Sequence, residues 1–61
     1  MKMSKTPEIV DVSATICGET EKGLKLDDGS RQEWVAKQHV EDNGDGTFTM
    51  PYWLALEKGF I

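Results

Sequence analysis

A chain of 61 residues with 11 acidic and 7 basic side chains, a net charge of −4, and a single cysteine and histidine excludes several classes at once. It has room for one domain, cannot close an internal disulfide, and lacks the ligands for a cysteine–histidine zinc site. Its charge balance also opposes sequence-independent nucleic-acid binding, which draws affinity from a basic footprint that releases phosphate counterions.

Two tryptophans and mixed charges argue for a folded chain, although one this short buries only about 60% of its unfolded surface. No apolar run reaches the roughly 18 residues of a membrane span. The opening Met1-Lys2-Met3-Ser4-Lys5-Thr6-Pro7-Glu8 lacks the continuous apolar stretch of a secretory signal. With its unpaired cysteine, Cys17, the expected compartment is reducing and cytoplasmic.

In chain order, residues 1–8 offer nothing to bury and read as a flexible tail; residues 9–61 read as a single β-rich domain. From Ile9 to Cys17, Val10, Val12, Ala14 and Ile16 alternate with polar positions, the period-two pattern of a strand with one buried face. Gly18 breaks it. Gly23–Leu26 and Arg31–Lys37 flank Asp27-Asp28-Gly29-Ser30, a hairpin signal, and the expected buried face takes Leu24, Leu26, Trp34 and Ala36. A single turn at Gln38–Val40 would tuck Val40 under the sheet. The glycine-bearing loop Glu41–Gly46 then closes a second hairpin onto Thr47–Met50, with Phe48 and Met50 inside.

Pro51 is expected at the first position of a C-terminal helix, where its fixed φ and missing N–H carry no penalty. Gly59 ends that helix, and Phe60 folds back as the hydrophobic contact of the cap. The expected fold is mainly β (α+β): a small SH3-like antiparallel half-barrel of about four strands with a short C-terminal helix.

Motifs for catalysis and metal binding fall short. Glu41–Thr49 overlays part of a calcium-binding loop, with Glu41, Asn43 and Asp45 as oxygen ligands and Gly46 at the turn. Its twelfth position is Tyr52, where such a loop needs a bidentate glutamate, so a polar hairpin loop is the preferred reading. Cys17 and His39 lack any signal for an orienting group or oxyanion hole, and the turn carboxylates lack a cleft. No cofactor, metal or enzymatic activity is expected.

The aromatic set is the most informative feature, because a core this small cannot hide Trp34, Phe48, Tyr52, Trp53 and Phe60 together. Tryptophan and tyrosine are frequent interface anchors. A partner surface is therefore expected around Tyr52, Trp53 and Phe60, with Trp34 and Lys37 at a second edge. The function expected is non-catalytic protein binding, with self-association as another use of the same patch. One alternative is a single-stranded nucleic-acid binder, stacking bases on aromatics while Lys22, Lys25, Arg31 and Lys37 track phosphates. The other is an acidic inhibitor of a host nucleic-acid enzyme.

Glu33-Trp34-Val35-Ala36-Lys37-Gln38-His39-Val40, then Asp45–Pro51, then Trp53-Leu54-Ala55 and Lys58-Gly59-Phe60-Ile61, resembles small proteins encoded by bacteriophages and prophages. In those, a Trp-Leu-Pro-Lys-Ser-Gln segment precedes a Pro-Glu-Trp-Leu-Ala helix ending in Lys-Gly-Leu. The similarity spans about Gly18 to Ile61, and Trp34, Lys37 and Trp53 match. Ala36 replaces the proline, Gln38 the serine, His39 the glutamine and Tyr52 the glutamate, so no role of that serine or glutamine carries over. The family has no settled activity. The resemblance implies an accessory protein associated with phage DNA replication or recombination functions.

Overall fold

The computed structural model describes residues 8–61. Apart from Glu8, the tail expected over residues 1–8 lies outside them. The elements in order are β1 (Ile9–Ser13), β2 (Thr15–Glu19), β3 (Gly23–Asp27), β4 (Gln32–Ala36), a 3-10 turn over Lys37–His39, β5 (Glu41–Asp42), β6 (Thr47–Pro51) and α1 (Tyr52–Lys58). The chain is mainly β with one short C-terminal helix, and its strands form two antiparallel sheets ordered β1-β6-β5 and β2-β3-β4.

Among the described residues six strands replace the four expected, for two local reasons. The first alternating run divides at Ala14, whose N–H turns away to the Gly46 carbonyl at 3.0 Å. Glu41 and Asp42 also form a two-residue strand opposite Thr49 and Phe48. The β1–β2 run joins the two sheets through the bend at Ala14, an arrangement compatible with a half-barrel. No closed barrel forms among the described residues.

Register decides which side chains are buried. Val10 and Val12 lie opposite Met50 and Phe48 across β1 and β6. In the β3–β4 hairpin, Asp27 pairs with Gln32, Leu26 with Glu33 and Leu24 with Val35. Val35 is therefore the inward residue of β4, and Trp34 shares the outer face with Lys25, contrary to the alternation expected. Four loop residues between the paired ends set this parity: even-numbered positions of β3 meet odd-numbered positions of β4. The core comprises Val12, Leu24, Leu26, Val35, Phe48, Met50, Leu54 and Ala55, with Val10, Ala14, Val40 and Phe60 packed against it.

Both hairpin loops are held by aspartates accepting nearby backbone N–H groups, the Asx geometry that favours turns. Asp28 Oδ1 accepts from Ser30 and Arg31 at 2.8 and 2.9 Å, and Asp27 Oδ1 accepts from Gly29 at 2.8 Å. In the second loop, Asp42 Oδ1 accepts from Gly44 N–H at 2.8 Å and Asp45 Oδ1 from Thr47 N–H at 3.0 Å. The calcium-like segment thus spends these acceptors on its own backbone. Among the described residues, no group of three or more His, Cys, Asp or Glu side chains is placed to hold a metal.

Pro51 is the last residue of β6 and the N-cap of α1, one position earlier in the helix than expected. Its pairing with Ile9 keeps ψ extended at 144°, while φ of −61° suits both strand end and helix entry. At the other end, Gly59 adopts the left-handed conformation. Its N–H donates to the Leu56 carbonyl, and the Phe60 N–H donates back to that of Ala55 at 2.9 Å. This is the Schellman arrangement, closed by Phe60 against the core.

Candidate functional site

Helix α1 packs on β1 and β6 through Leu54 and Ala55, which are buried. Its outward side is also apolar: Trp53 and Leu56 are each 53% exposed. Three residues apart, they are neighbours on the helix surface. A seven-residue amphipathic helix needs only its buried stripe for the fold, so this second stripe has no role in the core.

Two other segments extend the strip. The 3-10 turn delivers His39, whose ring meets Trp53 edge-on, with centroids 5.5 Å apart and planes at 76°. Ile9, 61% exposed, lies opposite Pro51 at the end of the β1–β6 ladder. Ile9, His39, Val40, Glu41 and Pro51 help line an open groove of about 340 Å³. Its volume is at the low end for small-molecule sites, and its openness suits a side chain presented by another surface better than an enclosed substrate.

The residues expected to mark a partner surface are distributed unevenly. Trp53 lies at the centre of the exposed strip. Tyr52 is half-buried, with its N–H bonded to the Glu8 carbonyl at 2.9 Å, and Phe60 is half-buried against the core. Leu56, His39 and Ile9 supplement them. Leu56 was visible at the i+3 position from Trp53; the approach of His39 is a tertiary feature with no local sequence signal.

Trp34 and Lys37 do not share one face. Trp34, 45% exposed, lies across the outer face of β2-β3-β4. An ideal Cβ at Gly18 would sit 3.4 Å from its indole Cη2, and one at Gly23 would sit 3.4 Å from Cε3. Neither glycine has a positive φ, so both serve by their lack of bulk: the indole rests on them. Lys37 lies beyond β4, at the start of the 3-10 turn. Its Nζ is 2.6 Å from Glu19 Oε2, and Glu19 lies opposite buried Leu24.

Of the other basic residues expected to track phosphates, Lys22 sits beside Lys37, whose N–H its carbonyl accepts at 2.8 Å, and the other two stand apart. The Arg31 guanidinium lies against Gly59 at the end of α1, whereas Lys25 stands opposite Trp34. Cys17 is exposed at the irregularity in β2, and the ring partner of His39 is Trp53. No described helix is long and apolar enough to cross a membrane. Comparison with protein-family models, curated proteins and solved structures finds no match.

Proposed function

We propose that the chain is a non-catalytic protein-binding module, and that its setting is the cytoplasm of a bacterium carrying the phage or prophage implied by the resemblance. The observation that carries the reading is the double-sided helix: α1 buries Leu54 and Ala55 while leaving Trp53 and Leu56 half in solvent. Exposed apolar residues scattered singly are ordinary. Here Trp53, Leu56, His39 and Ile9 come from three separate segments and extend one another around the end of the helix. A large aromatic side chain surrounded by smaller contacts is the usual composition of an interface anchor.

The test compares wild-type, Trp53→Ala and Trp34→Ala proteins as baits for host proteins. Trp53→Ala should lose the captured partner while retaining the wild-type circular-dichroism spectrum and an unfolding free energy, from urea denaturation, within about 0.5 kcal/mol of wild type, as expected for a surface change. Trp34→Ala should retain the partner. Unfolding of Trp53→Ala would place that residue in the core and remove the basis of the reading.

One observation favours a second reading: the Trp34 indole, laid flat beside Lys25, has the form of a base-stacking platform for single-stranded nucleic acid. It has fewer supports. Lys37 is paired with Glu19 and Arg31 lies at the helix end, away from that platform. Nucleic-acid binding would weaken steeply between about 50 and 200 mM salt and would depend on Trp34 instead of Trp53.

A further inference from the structure

Resting on the reading of the Trp53 surface as a docking face, we propose that its occupant is a cationic amphipathic segment of a partner protein. Its apolar side would cover Trp53, Leu56 and the Ile9–His39 groove, while lysines or arginines on its flanks would meet Glu41 and Glu57.

The charge around the strip carries this choice. Glu41 lines the groove, and Glu57 follows Trp53 by four residues, one helical turn along the same side. Glu8 stands at the helix entrance, where its carbonyl accepts the Tyr52 N–H. Among the described residues none of these three carboxylates has an ion-pair partner; the ion pair formed is Lys37 with Glu19. Of the basic side chains, Lys25 stands on the outer sheet face, Arg31 lies against Gly59 past the last turn of α1, and Lys58, in that last turn, follows buried Leu54 by four residues and so falls on the inner side of the helix, away from Trp53. An apolar strip rimmed by unpaired carboxylates favours a partner with the complementary layout.

The same rim disfavours the other occupants. A second copy docking by two-fold symmetry would bring identical acidic rims together. Nucleic acid and anionic bilayers require a basic footprint. Exposed rim pairs act mainly on encounter rate and choice of partner, each changing affinity by at most about fivefold.

The test uses four synthetic helical peptides: leucine with lysine in amphipathic order, the same order with glutamate or glutamine in place of lysine, and the leucine–lysine composition scrambled. Each is titrated into the full chain carrying Trp34→Phe, so that Trp53 fluorescence reports binding. Calorimetry repeats the titrations with Trp53→Ala and with a Glu41→Lys, Glu57→Lys double variant, after circular dichroism shows both folded. The ordered lysine peptide should bind at least about tenfold more tightly than the glutamate peptide, and the charge-reversed variant should invert that preference. Trp53→Ala should abolish the response.

Equal affinity for the scrambled peptide, or a preference unchanged by charge reversal, would overturn the proposal. If the glutamine peptide binds as well as the lysine peptide and Trp53→Ala abolishes both, the charge argument falls while the docking face stands. If no peptide binds wild type, or Trp53→Ala leaves binding intact, the proposal and the docking reading fall together.

Discussion

Asp45 Oδ1 accepts the Thr47 hydroxyl at 2.6 Å and the Thr47 N–H at 3.0 Å, fixing the entrance to β6. These bonds hold its pKa below the ordinary aspartate range, the hydroxyl first and the N–H second. Asp28 is lowered for a related reason, by the Ser30 and then the Arg31 N–H groups. A carboxylate with a lowered folded-state pKa contributes stability that is present above its unfolded value. That contribution is lost as pH falls through the folded value. Both loops should therefore loosen below about pH 4, with little change between about pH 5 and 8. Asparagine at position 45 keeps an oxygen acceptor without the charge. Asp45→Asn should lower the urea midpoint at about pH 7 and narrow its difference from the midpoint at about pH 3. An undiminished gap would assign the acid sensitivity elsewhere.

At the scale of elements, α1 was the most legible because proline and glycine bracket it and act through backbone conformation. Gly59 has φ of +82°, and an ideal Cβ there would lie 2.6 Å from Arg31 Nη1. The guanidinium is the free end of an exposed side chain and can move aside, so left-handed strain is the larger cost. Gly59→Ala should destabilise the domain by about 1–2 kcal/mol, with the melting temperature falling several degrees. Adding Arg31→Ala should recover little of that loss, and full recovery would identify the contact as its cause. The hairpins were similarly legible from their Asp and Gly residues. Val35 and Trp34 both satisfy an apolar alternation, but the face of β4 was legible from the turn: the four-residue loop expected at Asp27–Ser30, like the observed one, sets even positions of β3 against odd positions of β4 and so selects Val35 over Trp34. The bend at Ala14 depends on the distant Gly46 carbonyl, so the first run gave no local sign of its division. Trp53 could be selected by size and position, and Leu56 by helical spacing. His39 and Ile9 join it only through the path of the chain around the helix.

At the scale of the whole molecule, a small core and an acidic surface act in opposite directions on association. The Trp53–Leu56 strip favours removal from water, whereas the net charge of −4 and the carboxylates beside that strip oppose contact between identical faces. Salt separates the two effects. The screening length falls from about 10 Å at 0.1 M to about 3 Å at 1 M ionic strength, while apolar attraction is retained. Light scattering across a concentration series should therefore give the monomer mass at about 0.1 M salt. At about 1 M, the average mass should rise with concentration. The rise should disappear in Trp53→Ala and persist in Trp34→Ala, assigning it to the helix face instead of the outer sheet. A dimer already present at low salt and dissociated by raising it would instead be held by opposite charges. That result would mean that the acidic rim does not keep identical copies apart, and it would remove the argument favouring a basic partner over a second copy.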